Sequence, residues 1–155
     1  HYGTRRQRQM CIRDSYTSGS TGKPKGVMIE HSSLLDYVFG VISKTNIENC
    51  KSFGLISTIA ADLGNTVIFP SLVLGGKLIL FSHNEILSSH LISKKKVDCL
   101  KIVPSHWKAL QSDDTSFFPN KCLIFGGEKL TKDVVDMVRD NGYTGIIYNH
   151  YGDYK

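Results

Sequence analysis

Metal ligands, membrane segments and one-signed charge are all scarce in this sequence. Its four cysteines (Cys11, Cys50, Cys99 and Cys122) are far apart and form no C-x-x-C pair. The six histidines (His1, His31, His83, His90, His106 and His150) show no H-E-x-x-H or other metal-ligand spacing. No apolar run approaches a membrane span. The basic N terminus is not followed by the apolar stretch of a secretory signal. Cys99 and Cys122 sit in apolar, strand-like runs and read as reduced core thiols, so a cytoplasmic location fits.

Charge excludes a further class. The formal net charge is +5, but Arg5, Arg6, Arg8 and Arg13 against Asp14 put +3 of it in the first fifteen residues. The remaining +2 is no footprint for nucleic acid. Lys94-Lys95-Lys96 reads as the solvated end of a helix, favoured there by the dipole. At 155 residues, with 41% hydrophobic and 10% aromatic content, the chain can bury one ordinary core.

What the sequence does contain is concentrated in Tyr16-Thr17-Ser18-Gly19-Ser20-Thr21-Gly22-Lys23-Pro24-Lys25-Gly26-Val27. Glycines let backbone N–H groups close on an anion, hydroxyls add donors and lysines add charge, so the segment reads as a polyphosphate-holding loop. The Walker pattern does not fit. Its first glycine would fall on Thr17, and Pro24 stands where Ser or Thr should bind magnesium. A flexible Ser/Gly linker is the plainer alternative, but a linker has no need of Lys-Pro-Lys-Gly followed at once by an apolar run.

Beyond this loop a β/α alternation is legible. Helices are expected from 32 or 33 to 44, over 62–74 up to Gly75-Gly76, over 84–96, over 105–111, and over 131–141 with Thr131 as cap and Gly142 as stop. Strands are expected over 53–58, 77–81, 99–103, 121–125 and 144–149. The pattern predicts an α/β fold, a mostly parallel sheet flanked by helices on both faces. Ligands of such sheets bind beyond the carboxyl ends of the strands. Ala61-Asp62, Gly126-Gly127-Glu128 and His150-Tyr151-Gly152 fall at such ends.

The twelve-residue loop resembles the phosphate-loop signature of the adenylate-forming superfamily, which includes acyl-CoA synthetases, luciferases and the adenylation domains of nonribosomal peptide synthetases. The resemblance implies part of that family's large N-terminal subdomain, with Thr17, Ser18, Gly19, Ser20, Thr21, Gly22 and Lys23 lining the ATP phosphates. It implies that Gly126, Gly127 and Glu128, with Asn149 and Tyr151, lie against adenine. A plain strand-to-helix turn is the other reading of Gly126-Gly127-Glu128. Asn149-His150-Tyr151-Gly152 is similar to the start of the family's N-x-Y-G-P-T-E motif, but Asp153-Tyr154-Lys155 replaces Pro-Thr-Glu. The glutamate that helps hold Mg²⁺ is therefore missing, and lysine cannot ligate that ion. Residues 16–152 read as a partial adenylation domain and 153–155 as a divergent end. Residues 1–15, Arg/Gln-rich where the family has an apolar strand, read as a translated adaptor. The ribose-binding aspartate, the hinge and the C-terminal catalytic lysine are expected beyond Lys155, so little activity is expected of this chain alone.

The resemblance also implies a substrate pocket made of Asp62, Leu63, Thr66, Lys101, Ile124, Gly126 and His150. Asp62 would pair with the α-ammonium of an amino acid, which an acyl-CoA synthetase substrate lacks; read alone, it is a helix N-cap. Lys101 interrupts an apolar strand, and lysines are rarely buried unpaired; snorkelling or an edge strand is the alternative. Lys101 and a protonated His150 would take a side-chain carboxylate, favouring L-aspartate over asparagine. A solvated loop histidine is the other reading of His150. His31 reads as structural. The implied reaction forms aminoacyl-AMP and pyrophosphate from MgATP, then passes the acyl group to phosphopantetheine on a peptidyl carrier domain; neither nucleic acid nor membrane is an expected partner.

Overall fold

The computed structural model describes residues 13–17, 25–57, 62–111 and 117–150. Five parallel strands form the sheet: β3 (Ser52–Leu55), β4 (Lys77–Leu80), β5 (Cys99–Ile102), β6 (Cys122–Gly126) and β7 (Ile146–His150), in the order β4-β3-β5-β6-β7. A separate antiparallel hairpin joins β1 (Arg13–Thr17) to β2 (Lys25–Ile29), with Thr17 opposite Lys25. Its two strands bracket the glycine- and hydroxyl-rich loop. β1 begins within the stretch that the sequence reading set apart as residues 1–15.

Helices α1 (His31–Lys44) and α2 (Asn65–Val73) are joined by α3 (Ser89–Lys94), α4 (Pro104–Leu110) and α5 (Lys132–Asp140). Alternation along each strand splits the core in two. Leu100, Ile102, Leu123 and Phe125 pack with Ile92, Trp107, Val134 and Val138 of α3, α4 and α5. Cys99, Cys122 and Ile124 pack on the opposite face with Val67 of α2 and, in part, Val41 and Ile42 of α1. Cys50, Cys99 and Cys122 are buried free thiols, and the latter two are register neighbours. Both faces of the sheet are thus covered, as the β/α alternation predicts.

Several boundaries differ from the sequence expectation for local reasons. The helix expected over 84–96 breaks at Ser88: a 3-10 turn over Glu85–Leu87 precedes α3, and the Ser88 hydroxyl accepts the Leu91 N–H at 3.4 Å. Residues 62–74 also divide, into a 3-10 turn over Asp62–Gly64 and then α2. The residue preceding α2 is Gly64, so Asp62 is not the cap of that helix. α1 starts at His31 behind Glu30, and Ser32 donates its hydroxyl to the Glu30 carboxylate at 3.3 Å instead of capping the helix. Lys95 is not merely solvated: its ammonium lies 2.6 Å from Glu85 and over the Phe81 ring.

Candidate functional site

Lys101 lies on β5, the middle strand of five, so it is no edge-strand lysine. Strand alternation sends it to the α1/α2 face beside its register partner Ile124, and it is only 6% exposed. A buried ammonium must find acceptors. Lys101 Nζ donates to Thr66 Oγ1 at 2.5 Å and lies 3.1 Å from His150 Nδ1. Burial pushes its pKa down to about 8, opposed by the negative charge of Asp62.

His150 is the last residue of β7, paired with Gly126, and is half-buried; it belongs to the sheet and not to a solvated loop. The surroundings of His150 oppose the protonation expected of it. An ammonium offers only hydrogens, so a hydrogen bond from Lys101 favours Nδ1 as the acceptor and the ring proton on Nε2. Burial first, and then the Lys101 charge, hold the His150 pKa below its ordinary value. Lys101 is therefore the cation of this cluster.

The end of β6 is shaped by close approach. A Cβ on Gly126 would stand 2.7 Å from the His150 carbonyl oxygen and 2.8 Å from Lys101 Cε. Gly127 has φ +77°, a conformation that side chains resist. Leu63 Cδ1 lies 3.4 Å from the Gly126 position and 3.5 Å from the Gly127 position, so Leu63 borders both. Asp62 is exposed at the start of the preceding 3-10 turn.

Glu128 has a structural task that the sequence did not disclose. Its carboxylate accepts the Ser105 N–H at 2.9 Å and the Ser105 hydroxyl at 2.6 Å, which satisfies one of the free N–H groups at the start of α4. These bonds lower its pKa. A lowered carboxyl pKa contributes stability that is complete above the ordinary carboxylate range and lost as pH falls through the folded-state value. Glu128→Ala is expected to destabilise the chain by about 1 kcal/mol at neutral pH. In urea titrations the gap from wild type should close in acid; an unchanged midpoint at pH 7 would refute the capping role.

A cavity of about 430 Å³ lies between α1 and the end of the sheet, with Thr66, Ile124, Asn149 and His150 among its walls. Tyr37 of α1 also lines it and was missed in the sequence. Tyr37 falls with Leu34, Val38 and Val41 on one helical stripe, where an aromatic residue reads as ordinary packing. Its hydroxyl is 2.7 Å from Thr66 Oγ1, and its ring stacks on the His150 imidazole at 5.9 Å.

The structure thus brings together Leu63, Thr66, Lys101, Ile124, Gly126 and His150 at the carboxyl ends of the strands. Asp62 stands close enough for its charge to act on Lys101. Of the phosphate-loop residues, Thr17 ends β1, whereas Ser18, Gly19, Ser20, Thr21, Gly22 and Lys23 lie outside the described residues, as do Tyr151 and 153–155. Among the described residues, no group of three His, Cys, Asp or Glu side chains is arranged to hold a metal ion, so none is assigned to Mg²⁺. No helix among them is long and apolar enough to cross a membrane.

The profile of the AMP-binding enzyme family matches residues 14–153. Bacitracin synthase 3 of Bacillus licheniformis is 37% identical over 141 residues, covering 88% of this chain and 2% of that protein. Surfactin synthase subunit 2 of Bacillus subtilis (strain 168) is 34% identical over 147 residues, covering 88% of this chain and 4% of that protein. In three dimensions, the N-terminal domain of FACL13 from Mycobacterium tuberculosis superposes with a TM-score of 0.73 at 21% identity, over 92% of this chain and 36% of that one. The chain therefore spans a small part of the curated relatives it matches. With a parallel sheet of matching architecture and a family profile running nearly its whole length, the chain belongs to the AMP-binding enzymes, the adenylate-forming ligases, on the side of the peptide-synthetase adenylation domains.

Proposed function

We propose that this chain is the central part of an amino-acid adenylation domain that activates L-aspartate, with asparagine as the near competitor. The observation that carries this reading is the buried Lys101 ammonium at the strand ends, held by Thr66 and His150. A charge kept in such a place at a cost is best explained by an anionic partner. Asp62, exposed beside it, offers the opposite charge to an α-ammonium. A ligand bearing a carboxylate at one end and an ammonium nearby matches both, and a fatty or aryl acid matches neither.

In the proposed reaction the amino-acid carboxylate attacks the α-phosphate of ATP, giving aminoacyl-AMP and pyrophosphate. The thiol of a phosphopantetheine on a partner carrier domain then attacks the acyl carbonyl, forming the thioester and releasing AMP. Residues 17–23 would hold the phosphates through backbone N–H groups and hydroxyls. The turn at Gly126-Gly127 would take the adenine ring; the Glu128 carboxylate is already engaged at α4. Mg²⁺ would supply charge neutralisation on the phosphates. The protein's own part is positioning and fixed electrostatics.

The test is pyrophosphate exchange with each of the twenty amino acids, run on a domain carrying this segment and on the 155-residue chain alone. Aspartate is expected to give the strongest exchange in the domain, and the isolated chain none. Activation of an apolar amino acid, or of a fatty or aryl acid, would overturn the substrate assignment; exchange by the isolated chain would overturn its expected inactivity. The acyl-CoA synthetase reading is the alternative, and nothing in the pair Asp62 and Lys101 favours it.

A further inference from the structure

We propose that Gly40 is a specificity-determining residue: the side chain it lacks leaves open a chamber beside α1 in which Lys44 receives the carboxylate of acidic amino acids longer than aspartate. This rests on the acidic substrate proposed above and adds how long its side chain can be. The chamber is the cavity of about 430 Å³. Thr66, Ile124 and His150 of the proposed substrate pocket line it, and so do Tyr37, Gly40 and Lys44 of α1. Cavities of this size hold whole small ligands, and the short side chain of aspartate fills only a part of one. Room is therefore left beyond Thr66 and His150.

Nothing in the packing of α1 calls for a glycine at position 40. It lies inside the helix, where glycine is less favourable than alanine or leucine. Its φ is not positive, and a Cβ there would have no heavy atom within 4 Å. At Gly54, Gly76 and Gly126, by contrast, a Cβ would come closer than 3.0 Å to a neighbour. What Gly40 does is spare room. Tyr37, Gly40 and Lys44 fall at i, i+3 and i+7 on one stripe of α1, so a longer side chain at 40 would stand in the chamber between the tyrosine and the lysine.

Lys44 gives the far end its charge. It lies two helical turns beyond Tyr37, about 10 Å along the axis. Helical side chains lean towards the N terminus, which carries the ammonium back over the turn of Gly40. Lys44 is exposed and makes no ion pair among the described residues. The Tyr37 hydroxyl meets Thr66 Oγ1 at 2.7 Å, so the same stripe of α1 that ends at Lys44 begins at the substrate pocket. Each methylene added to aspartate moves the side-chain carboxylate further from Thr66. Glutamate adds one and 2-aminoadipate two.

The experiment is calorimetric binding of L-aspartate, L-glutamate, L-2-aminoadipate and L-norleucine to the full chain and to its Gly40→Ala, Gly40→Leu and Lys44→Met variants. Circular dichroism and melting curves serve as the fold control. The wild-type chain is expected to bind aspartate most tightly, and 2-aminoadipate more tightly than norleucine, which has similar length and no side-chain charge. Gly40→Leu fills the chamber and should lower 2-aminoadipate affinity relative to aspartate at least about tenfold. Gly40→Ala should raise the melting temperature by about 2–4 °C and move that ratio little. Lys44→Met should lower the same ratio about threefold, the modest worth of an exposed charge pair. Aspartate bound without 2-aminoadipate, norleucine bound as tightly as 2-aminoadipate, or an unaltered ratio in a folded Gly40→Leu or Lys44→Met chain overturns the inference while leaving the aspartate reading intact. Binding of no acidic amino acid by the wild-type chain overturns both.

Discussion

Replacing Lys101 with methionine is expected to abolish selection for an acidic side chain and, at the same time, to make the fold more stable. Methionine matches the lysine stem in length and needs no acceptor. The lysine is held at about 8 instead of its ordinary 10.5, a difference worth about 3 kcal/mol against the folded state at neutral pH. Part of that gain is offset because Thr66 and His150 lose a donor, so a net stabilisation of about 1–2 kcal/mol is expected. Aspartate binding should fall by more than about a hundredfold, the usual result of removing one partner of a buried charge pair.

The pH dependence gives this prediction a second handle. Between about 8 and 10.5 the folded chain binds fewer protons at Lys101 than the unfolded chain does. Stability therefore rises with pH through that window, and the penalty is at full strength below it. Urea unfolding of the two proteins should show the methionine variant ahead at pH 7 and its lead shrinking as pH climbs from 8 towards 10.5. A methionine variant less stable than wild type at pH 7 would mean that the lysine is a net stabiliser, and the account of a charge retained for its ligand would fall with it.

Gly126→Ala carries the second large expected effect. The new methyl group would meet two neighbours of very different pliancy. Lys101 Cε, at 2.8 Å, belongs to a long side chain that can swing away. The His150 carbonyl, at 2.7 Å, is backbone, held where β7 pairs with β6 and where Gly126 is the register partner of His150 itself. The lysine must therefore yield first, leaving Thr66, and the strand end must part slightly as well. Overpacking of this kind costs about 1–3 kcal/mol. Aspartate affinity should drop at least about tenfold as the ammonium is displaced. A variant with a wild-type urea midpoint and undiminished aspartate binding would mean that the strand ends separate freely and that the glycine is there for some other reason.

The residues behind these two predictions differ in how far the sequence announced them. Lys101 announced itself, as a charge in the run Cys99-Leu100-Lys101-Ile102-Val103, because every neighbour was of a kind that is buried. Gly126 was visible as one of a pair at a strand end, but what crowds it was not, since His150 and Lys101 arrive from two other strands. His150 was expected to be protonated, and burial with the Lys101 charge opposes that. Its charge state depends on an ammonium supplied from a different strand, and periodicity carries no information about that. Tyr37 gave no signal at all, because its place on an apolar stripe is satisfied by packing alone. Glu128 read as part of the nucleotide site, and its bonds to Ser105 at the start of α4 were not legible in the sequence.

By itself the sequence determined the β/α alternation and the parallel two-sided sheet, and it raised the expectation of a phosphate-holding loop. Each rests on short-range rules, namely the side-chain period, glycine at turns and the chemistry of a single run of residues. Tertiary structure alone decided that β5 is central, which turned Lys101 from a possible surface lysine into a buried cation. It also decided that α1 brings Tyr37 to Thr66, that β7 brings His150 to Lys101, and that Cys50, Cys99 and Cys122 share one core. The physical reason is the same in each case. The charge and proton positions of a buried polar group are set by whichever donors and acceptors surround it, and here those come from segments far apart along the chain.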